Sequence, residues 1–171
     1  TVRTPAYATS GQQSLQGGDF TAVLNEEGDF RLTGADVRVS GEVAGRLRVS
    51  AAEFVARELH AGALSVTAAD IAFSGDVDGP VSLTASDVSW RGSAGENMQI
   101  RAADLHFDGR VSGHLGAQVA DAVLSGDFAD IEISAADLEI DRHARIQGSL
   151  IANAADFELE GVVSGPLDLS A

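Results

Sequence analysis

DVRVSGEVAGRLRVSAA, residues 36–52, and DIAFSGDVDGPVSLTAS, residues 70–86, are two copies of one unit, and their alignment decides the fold. Both begin with an acidic residue, alternate apolar and polar positions, and bend at glycine at fixed places. Working outward, the same start recurs at Asp19, Asp36, Glu53, Asp70, Asp87, Asp104, Asp121, Asp137 and Asp156. The first six steps are 17 residues each, the next is 16 and the last is 19. A fixed period of this size is the mark of a repeat architecture, in which each unit buries its apolar face only against its neighbours.

Counting places from the acidic residue, the even places are apolar or glycine and the odd places mostly polar. This is the period of strands with one buried face. The fourth place holds Ala22, Val39, Ala56, Phe73, Trp90, Phe107, Leu124, Ile140 and Leu159. The twelfth holds Phe30, Leu47, Leu64, Val81, Met98 and Leu115, then Ile131, Leu150 and Leu167 once the two length changes are allowed for. An odd repeat would turn the inward face outward at every lap unless one corner spends two consecutive residues outside. The Ala-Asp pair at places seventeen and one does so. Glycines mark two further corners, Gly41, Gly75, Gly92, Gly109, Gly126 and Gly161 at place six and Gly28, Gly45, Gly62, Gly79, Gly113 and Gly165 at place ten. Three corners predict three short sides, hence an all-β, three-sided parallel β-helix of about nine 17-residue coils over residues 19–171. At about 4.8 Å per coil the rod would be roughly 43 Å long.

The core volumes match from coil to coil. Phe73, Trp90 and Phe107 share one column, and the tryptophan coil carries Ala94 where its neighbours carry Val77 and Val111. Departures mark irregular places. Leu24 takes a glycine place and Glu26 an inward one, which predicts an irregular first coil or partial cap. Glu58 and His60 fall on inward places while Leu59 does not, which predicts a bulge. One residue is missing near Asp130, and two are added near Asp141, Arg142 and His143 as a small corner loop. Residues 1–18, TVRTPAYATSGQQSLQGG, do not match the repeat and read as a flexible tail or a strap over the first coil. Because numbering begins at Thr1, a processed protein or a fragment is expected.

Composition narrows the partners. The formal net charge is −15, from 26 acidic residues and 11 arginines with no lysine, so the surface repels nucleic acid and anionic lipid. With no cysteine, neither a disulfide nor a thiolate metal site is available. No apolar run has the length of a membrane-spanning helix.

Candidate sites are few. The acidic column could form a calcium ladder, since oxygen ligands from adjacent coils could share ions. The favoured alternative is that each carboxylate accepts backbone N–H groups at its own corner. His60, His106, His114 and His143 occupy four different places and have no ligand spacing. A Ser/Thr row at place fifteen (Thr33, Ser50, Thr67, Thr84, Ser134, Ser170) lacks the second threonine row that an ice-binding face would need. The largest insertion is two residues, too short to build a catalytic cleft, and no phosphate loop or nucleophile elbow is visible. The expectation is therefore no enzyme activity and no cofactor.

The ends carry the functional argument, because an end coil leaves backbone groups and apolar columns without a neighbour. At one end the candidate interface is Phe20, Phe30 and Leu32; at the other it is Phe157, Leu159, Val163, Leu167 and Leu169.

LEIDRHARIQGSLIANAADFELEGVVSGPLDL, residues 138–169, and VRVSGEVAGRLRV, residues 37–49, resemble the bactofilin family of polymer-forming bacterial cytoskeletal proteins and its archaeal halofilin relatives. The shared features are apolar-x-Gly-x-apolar-x-Gly steps and an apolar-x-apolar, spacer, Ala-x-apolar-x-Gly step. The similarity covers residues 19–171. It implies a right-handed three-sided β-helix that polymerises end to end without nucleotide as a cytoplasmic scaffold, near a membrane and linked to cell shape, with itself and membrane- or envelope-associated proteins as partners. The chain also resembles the adhesin-head GIN domains, secreted β-solenoids rich in apolar-x-Gly steps. That second resemblance implies a cell-surface or periplasmic solenoid that binds other molecules by its sides.

Overall fold

The computed structural model describes residues 5–7 and 14–170, without the side chains of 5–7 and Phe20. Alternating apolar residues and glycine bends wind the chain into a parallel β-solenoid of about 9 turns with ~17-residue spacing, and the described residues are 78% strand with no helix. Every strand pairing is parallel, and the acidic residues pair in register: Asp36 with Glu53, Asp70 with Asp87, Asp87 with Asp104, Asp137 with Asp156. The predicted alternation is met side chain by side chain. In the strand Asp70–Val77 the inward residues Ile71, Phe73 and Val77 are buried and the residues between them are not.

Each coil turns three times. At the corner of places seventeen and one, two successive N–H groups converge on a single carbonyl of the preceding coil. Ala52 and Glu53 both donate to Ala35, Ala69 and Asp70 to Ala52, and Ser86 and Asp87 to Ala69. This double donation turns the chain and leaves two residues outside, as the odd period requires. At Gly75 the coils approach so closely that a side chain cannot fit. A Cβ built there, where φ is +149°, would run into the carbonyl oxygen of Leu59, a position and a backbone conformation that only glycine tolerates.

The core is one continuous column of apolar side chains with no buried polar or charged residue among those described. Phe73 and Trp90 stack with ring centroids 4.0 Å apart and planes 8° from parallel, and Trp90 and Phe107 follow at 6.2 Å and 8°. Trp90 is fully buried, its indole N–H donating to the Gly92 carbonyl at 3.1 Å, and the small Ala94 makes room beside it.

The irregularities fall where the sequence departs from the unit. The pairing shifts between Ala56 and Leu59, with Glu58 at φ 51°, and shifts back between Val43 and Arg46 on the neighbouring coil. The bulge puts Leu59 opposite Gly41 and Gly75 and buries it, while Glu58 turns outward. Leu24 likewise sits in register with Gly41 and is buried, so this leucine belongs to the core. The shortened coil shifts register between Val111 and His114. The lengthened one turns at Asp141–His143, where the Asp141 carboxylate accepts the His143 N–H at 2.6 Å.

The described parts of the leading segment lie against the first coil. Pro5–Tyr7 pairs in parallel with Thr21–Val23, and Ser14–Gln16 with Arg31–Thr33. The ladder thus runs past the boundary at residue 19 by part of a further coil, because Leu15 occupies the same inward place as Leu32 and packs against the core.

Candidate assembly surfaces

At the leading end, the pairing of Ser14–Gln16 over Arg31–Thr33 changes what the end exposes. Phe30 is 2% exposed and Leu32 is 0% exposed. These two are core residues and do not form an end face, a correction to the sequence expectation whose cause is the extra strand carrying Leu15. Phe20 lies in the strand Asp19–Glu26 in register with Val37, but its side chain is outside the described residues.

The other end exposes apolar side chains. The strands Asp156–Leu159, Val162–Val163 and Leu167–Ser170 belong to the last described coil, which is paired on its inner side with Asp137–Ile140, Arg145–Ile146 and Leu150–Asn153. Its inward-facing column members are incompletely covered. Leu167 is 47% and Leu169 45% exposed, and Phe157, Leu159 and Val163 are half-buried against the core. The residues in register one coil earlier, Leu150 and Ala152, are almost fully buried. Val162 and Ile151 add exposed apolar surface in the last two coils, on outward places where the alternating pattern gave no warning.

Along one edge the acidic column forms a row of exposed carboxylates. The corner N–H groups are taken by backbone carbonyls, so the carboxylates do not cap them; this corrects the expectation of corner capping. They face one another instead. Asp87 is held above its ordinary value of 3.8, first by the side chain of Asp104, then by desolvation, then by Asp70. A groove of about 640 Å³ follows this edge over five coils, from Glu53 to Asp121, with Val55, Ala72, Ser89 and His106 on its other wall.

The carboxylate and amide side chains that bond to the backbone of the next coil lie elsewhere, at the eleventh place. Asp29 accepts the Arg46 N–H at 2.9 Å, Asn97 the His114 N–H at 2.9 Å, and Asp130 the Ser149 N–H at 2.8 Å. Two other coils carry Pro80 and Pro166 at this place, which have no N–H to satisfy. Each link staples one coil to the next. The recurrence of Asp29, Asn97 and Asp130 at one place was the signal for it in the sequence.

Two of the histidines pair with carboxylates of neighbouring coils. His60 Nε2 lies 3.0 Å from Asp78 Oδ2, and His114 Nε2 lies 3.6 Å from Glu132 Oε2, both at the surface. Among the described residues, no group of three or more His, Cys, Asp or Glu side chains is placed to hold a metal ion. No described helix is long and apolar enough to cross a membrane.

No family model, curated protein or solved structure matches this chain.

Proposed function

We propose that this chain is a non-enzymatic structural scaffold, a β-solenoid rod that assembles with copies of itself through its terminal coils, as the bactofilin resemblance implies. One observation carries the reading: Leu167 and Leu169 are nearly half exposed at positions whose partners in the preceding coil are core. A solenoid coil is stable when a neighbour lies on each side. A second copy supplies what the last coil lacks, both parallel backbone partners and apolar cover. Leucine on that face is a poor choice for contact with water and a good one for contact with another coil.

The test is sedimentation velocity with electron microscopy of the chain and of L167D/L169D. Concentration-dependent rods that disappear in the variant, while its circular dichroism stays β-rich, support the reading. Rods that persist in the folded variant reject this interface.

The groove beside the acidic column favours a second reading, a solenoid that binds other molecules by its side as the GIN resemblance implies. It predicts a chain that stays monomeric at all concentrations.

A further inference from the structure

Positive charge is scarce on this chain, 11 arginines against 26 acidic residues, yet three of the arginines line one recess. Arg31, Arg46 and Arg48, with Ser14, Asp29 and Phe30, surround about 390 Å³ on the flank of the leading coils. The strands place them there. Arg31 and Arg48 are direct partners in the parallel ladder, so their side chains leave the same face one strand spacing, about 4.8 Å, apart. Arg46 stands two residues before Arg48 in the strand Asp36–Ser50, hence on that face about 7 Å away. All three are exposed.

A single exposed arginine needs no explanation, since solvent satisfies it. Three together on an acidic rod do. Arg31 and Arg48 repel each other across the ladder. Elsewhere the chain relieves an arginine with an acid: Arg110 has Asp127 as its ladder partner and pairs with it at 3.4 Å. Among the described residues, none of the three guanidinium groups in the recess is in an ion pair. The one carboxylate present, Asp29, accepts the backbone N–H of Arg46 instead. The other acids of that coil, Asp19, Glu26 and Glu27, do not line the recess.

We infer that this recess binds a phosphate group, free or carried by a small monoester. A tetrahedral oxyanion supplies the negative charge that the three arginines lack. Guanidinium forks match its oxygens two at a time, so Arg31 and Arg48 clamp it from adjacent coils while Arg46 and the Ser14 hydroxyl donate from the sides. The volume is that of a small-ligand site and leaves space for a short organic remainder. The acidic surface around it repels long polyanions, which restricts the ligand to a small one. The site lies on the flank of the rod and does not depend on whether the ends assemble.

The test is a heteronuclear NMR titration of the chain with inorganic phosphate and with glycerol phosphate at low salt, with chloride at matched ionic strength as the blank. Saturable shifts centred on the amides and guanidinium groups of Arg31, Arg46 and Arg48 are expected, with a Kd of about 1 mM or below. R31Q/R48Q should weaken binding by about tenfold, whereas R57Q/R91Q, which removes the same charge at another place of the coil, should leave it within about twofold. All four residues are exposed, and circular dichroism should show the same β-rich fold in both variants. Thermal melting gives a second readout. Phosphate stabilises proteins in general, so the rise it causes in the unaltered chain should exceed the rise in R31Q/R48Q. No saturable shift up to about 10 mM phosphate overturns the site. Shifts spread over the whole surface, or equal weakening by both pairs of substitutions, overturn it as well.

Discussion

The coils around Trp90 and the coil after Asp156 are written in the same pattern and have opposite fates. In the middle, Met98, Leu83 and Ile100 face inward and are at most 1% exposed; in the last described coil, Leu167 and Leu169 take equivalent places and are 47% and 45% exposed. Nothing in the unit itself separates them. Burial in a solenoid comes from the neighbour, so one motif makes core in one coil and interface in another. The leading end teaches the same point in reverse, because one added strand with Leu15 turns Phe30 and Leu32 from end residues into core.

Substitutions should sort by coil. Trp90→Ala removes the largest fully buried side chain and the middle of an aromatic stack, and should cost about 3–5 kcal/mol in chemical denaturation. The sharpest comparison is within the fourteenth place. Leu83→Ala should cost about 2–5 kcal/mol through a cavity, whereas Leu169→Ala should stay within about 0.5 kcal/mol in the dilute monomer. Equal costs would break the contrast. Gly75→Ala puts a methyl against the Leu59 carbonyl oxygen at a positive φ, and should cost about 1–3 kcal/mol with the loss appearing in thermal melts.

The smallest effect belongs to the acidic edge. Asp87 is held above 3.8 in the folded chain, so its contribution to stability is fully present below that value and is lost as pH rises through the raised one. Mild acid should therefore raise the melting temperature slightly. Asp87→Asn should show a smaller rise over the same pH range, and an unchanged rise would remove the crowding of Asp87 by Asp104 and Asp70 as its cause.

The fold was legible because a 17-residue period writes each inward place many times, and noise in one coil is outvoted by the others. The bulge at Glu58 and Leu59 was legible for the same reason, as a local break in a strong pattern. The leading strands were not, because Pro5–Tyr7 pairs at a spacing of 16 and Ser14–Gln16 has a single inward leucine. Leu24, read with Glu26 as a sign of an irregular first coil or a partial cap, is itself core, since a glycine place filled by leucine can still point inward when its neighbour is Gly41. For the candidate surface, the sequence places Leu167 and Leu169 in columns that are apolar throughout, and in the last described coil both are exposed. It missed Val162 and Ile151, whose outward places gave no signal. It also assigned backbone capping to the acidic column, while the capping side chains are Asp29, Asn97 and Asp130.

Hydrogen exchange across the chain, followed as a function of protein concentration, tests most directly whether the last coil is completed by another copy. Amides of Asp156–Ser170 should exchange quickly at high dilution and approach the protection of the coils around Trp90 as concentration rises. Protection of that coil that does not change with concentration would contradict the account.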